Sequence, residues 1–151
     1  IMTRKTKLLP PSYLLIGILL MMVLHYLFPI MTLVPKPWIL MGLFLIILGI
    51  WINLQADRLF NKARTTINSF GEPSQLVNSG IYRYSRNPMY LGMVLVLCGV
   101  AITLGSLTPF LIIPIFILLI NNIFIQFEER KMEEKFERLW VEYTLRVRRW
   151  I

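Results

Sequence analysis

Residues 87–127 read NPMYLGMVLVLCGVAITLGSLTPFLIIPIFILLINNIFIQF, 41 residues between Arg86 and Glu128 without one Asp, Glu, Lys or Arg. A helix crossing a bilayer uses about 20 apolar residues, so this stretch holds two crossings, predicted over residues 90–104 and 109–127. Gly105-Ser106 supplies the turn between them, and Pro109 starts the return helix. Working outward, charge-free gaps of 28 and 20 residues separate Lys7 from Lys36 and Lys36 from Asp57. Each holds one further span, over residues 12–28 and 38–54. The fold class is therefore an all-α integral membrane protein in one domain. It has four transmembrane helices, a cytoplasmic loop over residues 55–88 and an amphipathic helical tail over residues 128–151.

The chain has 151 residues, 56% of them hydrophobic and 16% charged, with a mean hydropathy of +0.64. Those proportions exclude secreted, fibrous and disordered classes and leave no room for a separate soluble domain. The net charge of +8 is explained by topology. The N-terminus carries Arg4, Lys5 and Lys7, and the first loop only Lys36. Arg58, Lys62, Arg64, Arg83 and Arg86 fall in the second loop, and seven more basic residues in the tail. Fifteen of sixteen thus lie on one side, which the positive-inside rule makes cytoplasmic, with both termini there. Anionic lipid headgroups account for the surplus, and no nucleic acid is expected.

Cys98 is the sole cysteine and His25 the sole histidine. No disulfide and no metal-ligand cluster is expected, and His25 reads as a packed or interfacial side chain. The first apolar stretch lacks a small-residue cleavage site and reads as a retained span, with Ile1 ahead of Met2 a leftover residue or a fragment boundary. Residues 56–63 extend the second helix beyond its span, and 65–84, rich in Gly, Pro, Ser and Asn, form a mostly irregular loop. In the tail, Met132, Phe136, Leu139, Trp140, Tyr143, Val147 and Trp150 recur at three- and four-residue steps. They form one apolar face, which lies on the inner membrane surface or packs under the bundle.

Two segments carry possible chemistry. At Arg83-Tyr84-Ser85-Arg86-Asn87-Pro88, Asn87 is a suitable N-cap and Pro88 a suitable first helical residue. The free N–H groups of the third span then sit beside two arginines, an anion site. Gly92 leaves one side of that first turn open to a ligand or a neighbouring helix. The plain alternative is an arginine and tyrosine anchor at headgroup level. The second segment is Glu128-Glu129, where the last span ends. On a helical wheel Glu129 falls about 20° from Phe136, inside the apolar stripe, where a carboxylate needs a cationic partner: Arg83, Arg86 or a ligand ammonium. The alternative is two solvated acids. Together the segments suit a zwitterion, such as a methionine-derived sulfonium, an amino acid or a lipid headgroup.

The run Gly80-x-Tyr82-Arg83-Tyr84-x-Arg86-Asn87-Pro88-Met89-Tyr90-x-Gly92, then Glu128-Glu129 after the next span with Phe136, Tyr143, Arg146 and Val147 downstream, resembles the isoprenylcysteine carboxyl methyltransferase and phospholipid methyltransferase superfamily. The resemblance spans residues 65–150. It implies a small helical membrane bundle with an S-adenosylmethionine pocket on the cytoplasmic side and a lipophilic or lipidated acceptor entering from the membrane lipid. Carried over by position, Tyr82, Arg86, Asn87, Pro88, Tyr90, Leu91 and Gly92 line the cofactor pocket. Glu128 and Glu129 hold the cofactor's ammonium or ribose, and Glu128 and Arg146 are the candidate catalytic residues, Arg146 facing the acceptor's polar end.

The chain departs from the family's pattern at four positions. Asn87 stands where many members have histidine, Met132 for leucine, Glu137 for glycine and Arg148 for proline. Asn87 cannot take a proton, which favours an acceptor that is already anionic, a carboxylate or thiolate. An amine needs Glu128 or Glu129 as its base. Glu128 and Arg146, 18 residues apart, span about 27 Å on an unbroken helix, so they share a site only if the tail bends. The rival class is a non-enzymatic four-span subunit, assembly factor or transporter half. Transport is disfavoured, because only His25 among ionisable residues lies inside a span.

Overall fold

A computed structural model describes residues 8–63 and 73–151. Arg4, Lys5, Lys7 and Arg64, and the part of the expected irregular loop up to residue 72, lie outside the described residues. The helices are α1 (Pro10–Leu27), α2 (Ile39–Lys62), α3 (Pro88–Leu104), α4 (Leu107–Phe110), α5 (Ile112–Ile120) and α6 (Gln126–Arg146). Short 3-10 turns occupy Lys36–Trp38 and Gly80–Arg83, and a π-helical segment, Asn121–Ile125, joins α5 to α6. Among the described residues there is no sheet, only one isolated antiparallel bridge between Thr32 and Ser106. The protein is thus an all-α, multi-span membrane protein. Three helical stretches, Pro10–Leu27, Lys36–Lys62 and Leu107–Arg146, are long and apolar enough to cross a bilayer, and α3 is a shorter apolar helix of 17 residues.

Proline sets two of the helix starts: Pro10 opens α1 and Pro88 opens α3, each where a missing N–H costs nothing. At the other end of α3, Gly105 takes φ +81°, a left-handed conformation, and ends the helix with its N–H on Ala101 O. The return helix then begins at Leu107, two residues ahead of the expected Pro109. The continuation of α2 to Lys62 matches the sequence reading, because Asp57 and Arg58 end the apolar run without breaking the helix.

α3 is the central element. Along one face it meets α2 through glycine pairs. A Cβ on Gly42 would lie 2.6 Å from Gly99 O, and one on Gly49 would lie 2.5 Å from Gly92 O. Inside a bilayer, where burial of apolar surface gives helices no preference for one another over lipid, such backbone contact supplies the dispersion energy that associates them. On its other face α3 packs Tyr90, Met93, Leu97 and Ala101 against Met21 of α1 and against Phe116, Ile120, Phe124 and Ile125.

One end of the bundle is pinned by hydrogen bonds. Leu33 N–H donates to Gly105 O at 2.8 Å and Leu107 N–H to Met31 O at 2.9 Å. His25 Nδ1 lies 2.7 Å from Ser106 Oγ, and Thr108 Oγ1 donates to Leu24 O at 3.3 Å. His25 is therefore a packed, hydrogen-bonded side chain.

At the opposite end, the tail does not start a new helix at Glu128. α6 runs from Gln126 through Glu128-Glu129 without interruption and kinks at Glu137, whose φ of +40° and ψ of −111° are non-helical. The bend required by the spacing of Glu128 and Arg146 thus occurs at a residue that is not glycine. Past it, Trp140, Tyr143 and Val147 pack on Leu76, Met132 and Phe136, so most of the apolar stripe folds against the tail itself and the loop, while Leu139, expected on the same face, is exposed.

Candidate functional site

The kink returns the end of the chain across the segment that precedes α3. Arg86 N–H donates to Arg148 O at 3.0 Å, and Tyr143 Oη donates to Tyr82 O at 2.7 Å. Between this returning segment and the starts of α1, α3 and α6 lies a cavity of about 360 Å³, within the range of small-molecule sites. Its walls are mostly apolar, with Leu9, Pro10 and Pro11 on one side and Phe60, Leu76 and Met132 among the others.

The polar groups of the cavity come from both sequence segments. Tyr82, Arg86, Asn87, Pro88, Tyr90, Glu128 and Glu129 all line it. Residues 38 apart in sequence meet where Tyr90 Oη donates to Glu128 Oε1 at 2.7 Å. Glu129 faces Arg86, with Oε1 3.5 Å from Nη2. The Trp140 ring lies 5.7 Å from the Arg86 guanidinium carbon, and Arg86 Nε is buried without a hydrogen-bond partner. Burial pushes the Tyr82 phenol far above its ordinary value, with Tyr143, Glu128 and Asp57 adding to the shift. Tyr143 is raised by burial as well, while Arg86 pulls the other way. Both phenols therefore stay protonated donors over the physiological range.

Three expected site residues stand elsewhere. Gly92 does not line the cavity; it faces α2, where a Cβ would strike the Asn53 amide and Gly49 O. Its missing side chain serves helix contact rather than ligand access. Leu91 is half-buried beside it and Arg146 is exposed at the end of α6, neither of them on the cavity wall. Asn87 holds the N-cap position of α3, but its side chain caps nothing and instead donates to Arg149 O at 3.1 Å. Arg83 is exposed, so of the two arginines proposed to meet Glu129 only Arg86 does so.

Sequence reasoning missed Arg149, which grips Glu129 with Nη2 at 2.6 Å and Nε at 3.2 Å. It also missed Phe60, which meets Tyr82 edge-on at 5.4 Å. Trp140 and Tyr143 carry a signal, since both lie on the apolar stripe of the tail and Tyr143 belongs to the family pattern, but neither residue is marked there as part of the pocket.

The sequence profile of the phospholipid methyltransferase family matches residues 37–138, about two thirds of the chain. The chain belongs to the phospholipid methyltransferase family. For this family member, the matched range takes in α2, α3, the helical hairpin and the first part of α6. It holds Tyr82, Arg86, Asn87, Tyr90, Glu128 and Glu129 of the cavity wall, while Trp140 and Tyr143 lie beyond it. At the family level the match supports an S-adenosylmethionine-using methyltransferase in a membrane-helical setting. A Haemophilus influenzae protein described as uncharacterized is 40% identical over 63 residues, 42% of this chain and 100% of that protein. No solved structure matches the chain significantly.

The cavity residues fit the zwitterionic end of that cofactor. Arg86 offers a cation with one unsatisfied donor, Glu128 a carboxylate, and Phe60, Tyr82 and Trp140 aromatic faces. Among the described residues no group of three or more His, Cys, Asp or Glu side chains could hold a metal ion.

Proposed function

We propose that the protein is an S-adenosylmethionine-dependent methyltransferase acting on a lipophilic or lipidated acceptor at the cytoplasmic face. In this reading α1, α2, α3 and the α4–α5 stretch are its four crossings and both termini lie in the cytoplasm. The observation that carries the reading is the convergence of an underbonded arginine and a tyrosine-bound glutamate on one apolar-walled cavity at one end of the helices.

When bound, the cofactor supplies a methyl group made electrophilic by its sulfonium. Arg86 takes the ligand carboxylate and Glu128, oriented by Tyr90, its ammonium. Tyr82, Asn87 and Pro88 form the adjoining wall. The apolar residues of α1, α2 and α6 keep water from the reacting centre and leave the acceptor's chain in contact with lipid, so that catalysis is chiefly alignment and exclusion of competing water. A carboxylate or thiolate acceptor needs no base, which agrees with Asn87. For an amine acceptor, Glu128 or Glu129 on the wall serves as the proton acceptor. Arg146, exposed and off the wall, meets an acceptor only outside the cavity. Leu91 and Gly92 act by fixing α3.

Calorimetric titration of S-adenosylhomocysteine into detergent-solubilised protein tests the reading. One-site saturable binding is expected. A folded, monodisperse sample that binds nothing would favour a non-enzymatic subunit.

A further inference from the structure

Arg149 touches the site from two independent directions. Its carbonyl accepts from Asn87 Nδ2 at 3.1 Å and from Ser85 Oγ at 3.4 Å. Its guanidinium engages both oxygens of Glu129, at 2.6 and 3.2 Å, and reaches Asn121 Oδ1 at 3.3 Å in the π-helical segment. The main-chain bonds dock the C-terminal segment, and the side chain does something else.

That second role is set by Glu129. Its side chain is 14% exposed and stands between two guanidiniums, Arg149 and Arg86. A carboxylate held by two guanidiniums is already neutralised and has little attraction left for a ligand ammonium. The sequence Arg149–Glu129–Arg86 is a chain of two positive charges around one negative charge. Its inner end, Arg86, lies under Trp140 with Nε unsatisfied. If Arg149 let go, Glu129 would be left to pair with Arg86 alone. A bidentate pair would then draw Arg86 off the cavity wall and cancel its charge.

We propose that Arg149 is the positioning residue of the site: by holding Glu129 it keeps the Arg86 guanidinium at the cavity wall with charge to spare for a ligand carboxylate. Glu129 is then an internal counter-ion rather than a ligand contact. The proposal rests on the reading of the cavity as an S-adenosylmethionine site. It concerns a residue outside the matched range of the family, which ends at residue 138.

The experiment compares two probes in detergent-solubilised wild type, Arg149→Ala and Arg149→Lys. S-adenosylhomocysteine has the carboxylate. 5′-Methylthioadenosine shares the adenosine and sulfur but lacks the amino-acid end. The main-chain bonds at position 149 survive both substitutions. Loss of a charge-assisted contact predicts an S-adenosylhomocysteine affinity weakened about ten-fold or more in Arg149→Ala, with methylthioadenosine within about two-fold of wild type. Arg149→Lys falls between, and millimolar guanidinium ion restores part of the loss in Arg149→Ala. Equal weakening of both probes, or no change in either, overturns the proposal. If Arg149→Ala does not fold, the same comparison in Arg149→Lys decides. Failure of wild type to bind S-adenosylhomocysteine overturns the methyltransferase reading itself, a result distinct from binding that ignores Arg149.

Discussion

Tyr90 Oη and Glu128 Oε1 are 2.7 Å apart, and this hydrogen bond joins the first turn of α3 to the first turn of α6. It couples the two segments that sequence alone marks as chemical, and it orients a carboxylate at the wall of an apolar cavity. A buried phenol that loses its acceptor, or a carboxylate that loses its donor, costs about 1–3 kcal/mol.

Glu128→Gln keeps the shape and an acceptor for Tyr90 but removes the charge. Affinity for S-adenosylhomocysteine is expected to fall at least about ten-fold with little change in the unfolding midpoint, because a charged hydrogen bond is worth about 1.5–3 kcal/mol. Tyr90→Phe should weaken binding less and stability more. Titration calorimetry beside thermal unfolding separates the two, and unchanged affinity in Glu128→Gln would remove Glu128 from the site.

Gly49→Ala and Gly17→Ala should behave in opposite ways. A Cβ at Gly49 meets Gly92 O at 2.5 Å and Val96 Cγ2 at 2.8 Å, whereas at Gly17 the nearest atom is Leu97 Cδ2 at 3.5 Å. The first substitution forces α2 off α3 and should destabilise by about 1–3 kcal/mol. The second fits and should be neutral or slightly stabilising. Similar unfolding midpoints for both in detergent would contradict the glycine-mediated contact.

Glu137→Gly should raise stability. A non-glycine residue held at positive φ costs about 1–3 kcal/mol, and Glu137 is exposed, so its side chain gives little in return. Glu137→Val, with a branched Cβ at the same φ, should lower it. A lower midpoint for the glycine variant would mean the tail does not bend there.

Alkaline pH should weaken the fold through Tyr82 and Tyr143. Both are acids whose folded pKa is raised by burial above the unfolded value near 10. Above that value the unfolded chain releases protons that the native state retains, so stability present at neutral pH is lost as pH rises. Unfolding midpoints measured from pH 8 to 11 should fall past pH 10, and Tyr143→Phe, destabilised at neutral pH by the lost bond to Tyr82 O, should show a shallower fall. A slope unchanged by the substitution would put Tyr143 in water.

The helices were legible because apolar run length and proline position are local signals: Pro88 opens α3, and the absence of charge between Arg86 and Glu128 marks the hairpin. The cavity's main polar residues were legible as two segments. Their pairing was not, because Arg149 reaches Glu129 only after a bend at a residue with no local preference for bending. Gly92 shows the opposite failure. Read alone, it suggested ligand access, but the seven-residue spacing shared by Gly42 and Gly49 with Gly92 and Gly99 already pointed to two helices in backbone contact.

The pinned end of the bundle makes α1 a lever. Its Leu24 and His25 are tied to Thr108 and Ser106, while Pro10 and Pro11 at its other end form part of the cavity wall. Leu24 and Pro10 stand 14 residues apart, about 21 Å along the helix, so a tilt of about 6° about the tied residues moves the far end by about 2 Å. That wall of the cavity can thus shift by more than a carbon radius with the fulcrum's hydrogen bonds intact. Passage of a bulky ligand asks for a small rotation of one rod, with no helix unwound.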